Sequence, residues 1–540
     1  MVSVKLFVVS TLSFLLHQIS AECSDVPCAA KFYNESSVCV CNSTYCDTIT
    51  RVTSFESGTF ATYTSSKEGK RFYKQINDIQ SRDPSVSDDE GNVFLLDPTI
   101  RYQNIEGFGG AVTDSAGINL KSLPLAAQRK LINSYFSDVG IEYNMLRLPI
   151  ASTDFSTRIY SYDDYRNDTD LDNFKLAKED YEYKIPFIQH AKDVATDDIH
   201  IVAASWSPPK WMKTKDSMVA GGSVKHRFMQ DYAEYHCKFA EAYKKNGIDI
   251  WAMSTSNEPT SPLLRTPFQS TLWYVPDMGA FISKYLGPTL RNCSAEGIKL
   301  LTIDDQRGLI PLFSALFSII APEAIEYVDG FALHSYFNKI TPPSMSTFLL
   351  KQFPDKFALV TEYCAGSSPS DKPKVDLGSW ARAKDYVQDI LENLNSNFVG
   401  WVDWNLCLNR QGGPTWVGNF VDSPIIVDAK KQEFYKQPMF YAMGHFSKFL
   451  PRGSQRIQMS AGADNQCDKC VKDPSKEYIA FMTPEDTIVV IIYNDGEARE
   501  ATLRVGTCDV ITQLDANSIT TIEIPTTQDD GNMDCKIVVD

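Results

Sequence analysis

Residues 248–259 read IDIWAMSTSNEP and lie near the middle of a 540-residue chain. The first half of this stretch is apolar, and its end sets an amide, a carboxylate and a proline in a row at Asn257, Glu258 and Pro259. A buried strand with such an end is followed either by a plain turn or by the edge of an active site. The surrounding sequence has to distinguish between these two interpretations.

Seven further runs of this kind lie between residues 100 and 405, and most are apolar on both faces. Continuous apolar runs are typical of parallel strands that helices cover on their outer face. Stretches with helical spacing separate the runs, for example residues 228–245 and 380–394. Eight strand–helix repeats predict an α/β fold of the (β/α)8 TIM-barrel type. The eight runs are YQNIEGFGGAVT, NMLRLPI, IHIVAASW, IWAMSTSN, KLLTIDD, GFALHSY, FALVTEY and FVGWVDWN.

Polar and aromatic residues gather at the carboxyl-terminal ends of these runs. In a TIM barrel this face carries the active site. The alternative is that strand ends are polar because loops begin there. This explains one or two such residues, but it explains eight strands converging on carboxylates and tryptophans much less well. The residues are Asp154, Trp206, Asn257, Glu258, Asp304, Asp305, His334, Tyr336, Glu362, Trp404 and Asn405.

Glu258 and Glu362 form the pair that indicates a chemistry. They are 104 residues apart in the sequence (362 − 258 = 104), yet the barrel brings the ends of their strands to one rim. Two facing carboxyl groups are what cleavage of a glycosidic bond requires: one protonates the leaving oxygen and the other attacks the anomeric carbon. Burial and mutual repulsion separate the proton affinities of such a pair.

Four neighbouring side chains suit a sugar. The Asn257 amide is expected to bind the 2-hydroxyl group, a contact that strengthens in the transition state. Trp206 and Trp404 offer flat apolar faces to a sugar ring, and Asp154 can accept hydrogen bonds from two adjacent hydroxyls. The structural alternatives are that Trp206 only packs in the core and that Asp154 only caps a helix.

Arg147 and His334 are cationic or polar groups that could hold the nucleophile ionised. The alternative for His334 is an interior histidine with satisfied hydrogen bonds. Tyr336, two residues further along the same run, completes the predicted substrate-binding set. No metal or organic cofactor is expected for this chemistry.

Both chain ends have β character. Residues 51–98 look extended, and the tail alternates through YIAFMTPEDTIVVIIYNDGEAREATLRV, in which Asn494-Asp495-Gly496 is a hairpin signal. A β-sandwich built from both ends would explain why β segments flank the barrel. Cys467, Cys470, Cys508 and Cys535 lie in the tail and allow two disulfides whose pairing is open.

The amino terminus indicates the secretory route. Lys5 precedes the short apolar run LFVVSTLSFLL, and small residues follow it, as in a signal peptide over residues 1–21. No stretch has the roughly 20 apolar residues of a transmembrane span. Four sequons at Asn34, Asn42, Asn167 and Asn292 predict glycosylation. Five early cysteines predict a disulfide-stapled piece, with a zinc site as the alternative; they are Cys23, Cys28, Cys39, Cys41 and Cys46.

The net charge of −16 argues against nucleic acid as a partner, because the phosphates would be repelled. It also disfavours anionic membranes at neutral pH, although the repulsion would fade near the sequence pI of about 5.0. The predicted domains are the signal peptide, a small sheet, a β-sandwich and the catalytic barrel. Their ranges are 1–21; 22–50 plus 406–437; 51–98 plus 454–540; and 99–405 plus 438–453.

The chain resembles the acid β-glucosidase branch of glycoside hydrolase family 30 nearly end to end. Motifs of this length are far more specific than an isolated Asn-Glu-Pro. Those that carry the resemblance include CVCNSTYCD, GFGGAVTDSAG, LPIASTDFS, STSNEP, LTIDDQR, VTEYCAGS, GWVDWNL and GGPTWVGNFVDSPIIVD.

The resemblance implies retaining hydrolysis, with Glu258 as acid/base and Glu362 as nucleophile. It also implies the disulfides Cys28–Cys39 and Cys41–Cys46, a lysosomal setting, glucosylceramide as substrate, and help from a saposin-type activator and anionic phospholipid. Around the glucose it sets Asp154, Trp206, Asn257, Trp404 and Asn419.

Some segments depart from the family pattern. Ser335 stands where the family has a second aromatic residue, and the presumed entrance segments 260–269 and 337–345 differ. Two alternatives therefore stay open. One is a same-fold hydrolase of another β-glycoside, such as a steryl glucoside or β-glucan, and the other is a non-catalytic glycolipid-binding protein. A long open cleft would indicate a polymer as substrate, and an apolar collar would indicate a lipid.

Overall fold

The computed structural model describes residues 25–264, 266–462, 475–526 and 535–537. The predicted signal peptide, Cys23, Cys467 and Cys470 lie outside the described residues.

Eight parallel strands close into a barrel, which confirms the predicted TIM-barrel fold. They are numbered here as barrel strands 1 to 8 in chain order, and each pairs with its sequence neighbours, strand 8 closing on strand 1. All eight correspond to the apolar runs of the sequence. Their bounds are Gly107–Ala111, Met145–Ile150, His200–Ser205, Ala252–Ser254, Lys299–Gln306, Gly330–His334, Phe357–Glu362 and Gly400–Asn405.

Helices cover the outside of the barrel, and the longer ones bury an apolar stripe. In Trp380–Asn395, for example, Tyr386, Val387, Ile390 and Leu394 recur at helical spacing and are buried. The α-helices are Asp114–Lys121, Leu125–Phe136, Ile185–Val194, Met229–Lys244, Val275–Ala280, Gly287–Arg291, Ile310–Ala315, Ser344–Gln352, Trp380–Asn395 and Pro438–Ser447. Wider π-helical turns occupy Asp180–Lys184, Phe281–Leu286 and Leu316–Ile320, and 3-10 turns occupy Lys210–Met212, His226–Phe228, Ser261–Leu264, Arg307–Leu309, Pro322–Tyr327 and Asn338–Ile340.

Backbone irregularities occur at the ends of strands 4 and 5. Positive φ angles, which residues other than glycine rarely adopt, occur at Glu258 (41°), Ile303 (77°) and Asp304 (45°). The register between strands 5 and 6 also shifts between Ile303 and Asp305. Such conformations cluster at functional sites because they aim side chains that a regular strand would direct elsewhere.

Both chain ends contribute to a ten-stranded sheet that encloses its own core, in agreement with the predicted β-sandwich. The hairpin predicted at Asn494-Asp495-Gly496 is wrong, because the strands on either side of this turn pair with other strands instead. The strands are Thr59–Ser66, Tyr73–Asp78, Gln80–Ser81, Val93–Asn104, Gln455–Ala461, Tyr478–Met482, Thr487–Asn494, Arg499–Val505, Cys508–Leu514 and Ser518–Pro525.

A third, five-stranded sheet carries the early cysteines. Its strands are Ala30–Phe32, Ser37–Cys41, Cys407–Asn409, Ile425–Asp428 and Glu433–Lys436. Disulfides join Cys28 to Cys39 and Cys41 to Cys46, the pairs that the resemblance implies. The bonded sulfurs are not available as zinc thiolates, so the zinc alternative fails.

Two further disulfides are Cys237–Cys293 and Cys508–Cys535. The sequence predicts no role for Cys237 and Cys293, since their meeting depends on how the helix Met229–Lys244 packs against the loop after Gly287–Arg291. Among the described cysteines, Cys364 and Cys407 are free and buried.

Three of the sequon asparagines, Asn34, Asn167 and Asn292, are exposed, and Asn42 is half-buried. Their glycosylation stays a prediction. Within the described ranges, every helix is too short or too polar to cross a membrane.

Candidate active site

A cavity of about 910 Å³ opens at the carboxyl-terminal ends of the barrel strands. Arg147 and His334 lie buried beneath it, in contact with both glutamates. The structure thus brings all ten predicted catalytic and substrate-binding residues to one site. The eight that line the cavity are Asp154, Trp206, Asn257, Glu258, Tyr336, Glu362, Trp404 and Asn419.

Glu258 and Glu362 face each other across the floor of this cavity. Glu362 is the last residue of strand 7, whereas Glu258 follows strand 4 in a left-handed backbone conformation. The Glu258 amide donates to the Asp304 carbonyl at 2.9 Å and fixes that turn to strand 5. One carboxylate oxygen of each glutamate lies within 4.8 Å of the other. This is the short spacing of retaining glycosidases, whose carboxyl groups are about 5–5.5 Å apart, and not the wider spacing of inverting ones.

Arg147 holds three of the neighbouring groups in place. Its guanidinium pairs with Glu362, donates to Asp304 at 2.9 Å and donates to the Asn257 side-chain oxygen at 2.7 Å. Arg147 is fully buried, so this planar fork acts in a medium of low polarity. It fixes the orientation of Glu362. Tyr336 adds a second donor, with its hydroxyl 2.7 Å from the other Glu362 oxygen.

His334 is a buried histidine with both ring nitrogens in hydrogen bonds, as the interior-histidine alternative expects, and those same bonds connect it to the catalytic pair. Its two ring nitrogens lie 3.1 Å from Glu258 and 3.1 Å from Asp304, and Nδ1 is 3.9 Å from Glu362. Burial alone would lower its pKa, but these carboxylates outweigh burial and raise the pKa of His334 to about 10. The pKa of Asp304 is lowered. Burial alone would raise it, but the positive charge of Arg147 and the contact with His334 hold the pKa of Asp304 well below the usual range.

The same geometry bears on metal binding. Glu258, His334 and Glu362 each offer one ligand atom, and these atoms lie within 4.8 Å of one another. A metal ligand must be neutral imidazole with a free lone pair. Because both ring nitrogens of His334 donate to carboxylates, this cluster is built as a proton and charge network and does not suit a metal.

The sugar side of the cavity combines aromatic and polar groups. Trp206 and Trp404 stack with ring centroids 5.2 Å apart, and the Arg147 guanidinium lies 4.9 Å from the Trp206 ring. Both indoles are buried and line the cavity, so Trp206 has a packing role as well. Asp154 accepts a hydrogen bond from Asn419 at 2.8 Å. In the described structure, residues 155–177, directly after Asp154, form no helix, so the helix-cap alternative fails.

Two sequence comparisons decide the family. The model of the glycosyl hydrolase family 30 TIM-barrel domain matches residues 105–450, and the model of the family's beta sandwich domain matches residues 453–522. The chain belongs to glycosyl hydrolase family 30. It is therefore a glycoside hydrolase, and the non-catalytic alternative falls away.

Individual relatives agree with this family assignment. The chain is 41% identical over 489 residues to the mouse lysosomal acid glucosylceramidase, covering 89% of this chain and 92% of that one. It is 42% identical over 461 residues to putative glucosylceramidase 3 of Caenorhabditis elegans, covering 84% and 87%. Among solved structures, SrfJ from Salmonella typhimurium superposes with a TM-score of 0.77 at 25% identity, covering 86% of this chain and 99% of that one.

At this family 30 site, the sequence places Asp304 and Asp305 at a strand end but predicts no role for them, and it predicts no role for Gln306 or Thr361. Gln306 donates its side-chain amide to Glu258 at 3.1 Å, and Thr361 donates its hydroxyl to Asp304 at 2.7 Å. The run IDDQR, residues 303–307, was the sequence signal that could have indicated Gln306. Four polar residues in a row at the end of strand 5 are more than a strand end needs, and they can supply an ion pair and an amide contact.

The Asp154 carboxyl makes stability depend on pH. Burial raises its pKa to about 7, partly offset by the Asn419 hydrogen bond and reinforced by the charge of Glu362. The pKa of an aspartate in an unfolded chain is about 4. The folded state therefore binds the proton more tightly, and the stability contributed by protonated Asp154 is lost as pH rises from about 4 to 7. We expect Asp154→Asn to remove this loss.

The measurement is the thermal midpoint of the ligand-free enzyme between about pH 4.5 and 7.5. The thermal midpoint of the variant should rise relative to that of the wild type as pH rises. Asp193→Asn, at an exposed helical position, provides the matched control. A gap between Asp154→Asn and wild type that stays constant with pH would contradict the expectation.

Proposed function

We propose that this family 30 enzyme is a retaining β-glucosidase that hydrolyses glucosylceramide to glucose and ceramide. The observation that carries the substrate proposal is an apolar collar above a polar, charge-compensated floor. Support also comes from the likeness to the mouse lysosomal acid glucosylceramidase, which covers most of both chains.

The proposed reaction has two steps. Glu258 protonates the glycosidic oxygen while Glu362 attacks the anomeric carbon, which releases ceramide and leaves a glucosyl ester on Glu362. Glu258, now ionised, then takes a proton from water, whose oxygen attacks the same carbon and frees Glu362. Arg147 and Tyr336 bind the two Glu362 oxygens and keep this nucleophile oriented.

The remaining site residues are proposed to bind glucose. Because the Asn257 oxygen accepts from Arg147, its amide nitrogen is left to donate to the 2-hydroxyl group. Asp154 and Asn419 offer polar groups to two further hydroxyls, and Trp206 and Trp404 wall the ring. His334 orients Glu258 through the hydrogen bond at Nδ1.

The apolar collar is the set of exposed side chains at the mouth of the cavity: Leu263, Leu264, Leu312, Phe337 and Ile340. Leu264 and Ile340 are each 79% exposed, in the 3-10 turns that follow strands 4 and 6. Large aliphatic groups so exposed around an opening indicate an apolar partner. A β-glucan would call for polar and stacking groups along an open cleft, so the collar favours a lipid glucoside over a polymer.

The cellular location and the membrane contact of the enzyme are also proposals. A lysosomal location fits the named relative and the predicted signal peptide, and at an acidic luminal pH near the pI of about 5.0 repulsion from anionic phospholipid fades. We propose peripheral contact with the membrane and assistance from a saposin-type activator. The division into small sheet, sandwich and barrel at the boundaries given above, and glycosylation at the four sequons, belong to the same proposal.

The test compares three substrates at acidic pH: glucosylceramide in anionic vesicles, a soluble aryl β-glucoside and a β-glucan. Cleavage of the first two but not the glucan supports the proposal. Hydrolysis of the glucan or the aryl glucoside without the lipid would keep the chemistry and refute the substrate.

A collar variant sharpens this test. In Leu264→Asp/Ile340→Asp, two charges replace apolar contacts with the bilayer, each worth about 1.5–3 kcal/mol. We expect vesicle hydrolysis to fall about tenfold or more, with the aryl glucoside rate nearly unchanged. Leu125→Asp is the control, because Leu125 is 71% exposed and does not line the cavity. An equal loss on both substrates would mean that the collar supports the fold and does not dock lipid.

A further inference from the structure

One of the four predicted glycosylation sequons contains a disulfide-bonded cysteine. This sequon is Asn292-Cys293-Ser294, and Cys293 is bonded to Cys237 in the helix Met229–Lys244. The other three sequons have glutamate, serine or aspartate at the middle position; they begin at Asn34, Asn42 and Asn167. Only at residues 292–294, therefore, do the two modifications of a secreted chain, glycosylation and disulfide formation, concern the same segment.

The folded chain holds the acceptor asparagine at a helix end and not in an extended strand. Asn292 follows the short helix Gly287–Arg291 with a φ of −102° and a ψ of 1°. Its backbone amide donates to the carbonyls of Pro288 and Thr289. Its side-chain amide, the group that would carry the glycan, donates to the Pro288 carbonyl at 3.0 Å. Asn292 is nevertheless exposed, so the fold has room for a glycan that is already attached.

Ser294, the third residue of the sequon, is bound to the helix that carries Cys237. Its hydroxyl donates to the Glu241 carboxylate, and its carbonyl oxygen accepts from the Lys244 ammonium group at 3.1 Å. Glu241 lies one helical turn after Cys237, so these two bonds and the disulfide hold the sequon to one helix. A sequon requires the hydroxyl two residues after the asparagine. In the folded chain this hydroxyl is already engaged.

The disulfide is protected once it has formed. Cys237 is 8% exposed and Cys293 is 5% exposed. Reopening requires a thiolate to attack one of the two sulfurs, and burial restricts this attack. Cys237 precedes Cys293 by 56 residues, so its thiol has already been synthesised when the sequon appears. Glycan transfer and disulfide closure thus become possible at the same stage, and closure is the step after which the sequon stays fixed.

We propose that the Cys237–Cys293 disulfide competes with glycosylation of Asn292 and limits the fraction of chains that carry this glycan. The inference rests on the proposed secretory route and glycosylation of this protein. A chain in which the disulfide closes first keeps a bare Asn292. A chain that is glycosylated first can still form the disulfide, because Asn292 is exposed. The glycan at this position therefore records the order of the two events.

Both competing reactions are balanced by reagents of the secretory lumen. In glycosylation, a bond forms between the Asn292 side-chain nitrogen and the anomeric carbon of a lipid-pyrophosphate-linked oligosaccharide. The pyrophosphate leaves, and the nitrogen loses one proton. In closure, the thiols of Cys237 and Cys293 lose two protons and two electrons to the disulfide of a lumenal oxidoreductase, which is reduced to a dithiol.

The test is the fraction of Asn292 that carries a glycan, measured by mass spectrometry on wild type and Cys237→Ser. The variant removes the partner thiol and leaves the sequon unchanged. We expect this fraction to rise about twofold or more in the variant, since closure no longer competes with transfer. Cys508→Ser is the matched control, because it removes a disulfide of the sandwich, and it should leave the fraction unchanged. Equal fractions in wild type and Cys237→Ser would overturn the proposal.

The measurement includes all chains in the expressing cells, so it does not require the variant to fold or to be exported. A second measurement needs no substitution. Dithiothreitol added during synthesis keeps both cysteines as thiols, and it should raise the glycosylated fraction at Asn292 but not at Asn167, whose sequon has no cysteine. No rise at Asn292, or an equal rise at both asparagines, would overturn the proposal.

The other sequons distinguish failure of this inference from failure of the proposed glycosylation. If Asn34, Asn42, Asn167 and Asn292 are all bare in wild type and in Cys237→Ser, the proposed glycosylation itself is refuted. If Asn34 and Asn167 carry glycans while the fraction at Asn292 does not respond to Cys237→Ser, only the competition is refuted.

Discussion

Glu362→Gln should lower kcat by about 10⁴-fold or more on both the lipid and the soluble glucoside, since no covalent intermediate can form without a carboxylate nucleophile. The amide keeps the size of the side chain but cannot attack the anomeric carbon. Glu362 is 6% exposed, and Arg147 and Tyr336 hold its two carboxylate oxygens in place. Initial rates at acidic pH measure the effect.

A matched control and a chemical readout make this expectation specific. Glu323→Gln makes the same change at an exposed position and should leave the rate unchanged. In Glu362→Ala, added azide should enter the vacated space and attack from the nucleophile's side, which yields the α-glucosyl azide. In Glu258→Ala, azide should instead intercept the glucosyl ester and yield the β-product. Activity of Glu362→Gln within tenfold of wild type, or the opposite pairing of products, would refute the assignment.

The barrel could be predicted because its signals are local. Each strand is a continuous apolar run, and each helix shows apolar residues at helical spacing. The polar residues lie at the carboxyl-terminal ends of the strands, which meet at one rim of the barrel. That is why Glu258 and Glu362 could be paired across more than a hundred residues without knowledge of any contact. The same logic fails for the turn at 494–496, because pairing in the sandwich connects strands that are distant in sequence.

The charge balance of the site could not be predicted from the sequence. Asp304 and Asp305 are identical neighbours, yet one is bound by cations and the other only by neutral donors. The difference arises from left-handed backbone conformations at Ile303 and Asp304 and from a register shift to strand 6. No residue pattern encodes these features. The disulfide between Cys237 and Cys293 was missed for a related reason, since it depends on packing between helices.

Arg147→Met should destabilise the fold and reduce catalysis together. Arg147 is fully buried and compensates both Asp304 and Glu362, so removing it leaves two carboxylates without their strongest partner. Breaking a buried pair in this way costs about 3–5 kcal/mol of unfolding free energy. Denaturant unfolding measures that loss. Arg147→Lys keeps the charge without the planar fork, and it should be intermediate in both stability and rate.

A second substitution separates the two roles of Arg147. Asp304→Asn in the Arg147→Met background removes one uncompensated buried charge, so the double variant should recover part of the lost stability, which a double-mutant cycle quantifies. The double variant should not recover kcat, because Glu362 still lacks the guanidinium that orients it. Recovery of both would mean that Arg147 serves only the fold. Recovery of neither would mean that Asp304 is not the group that Arg147 stabilises.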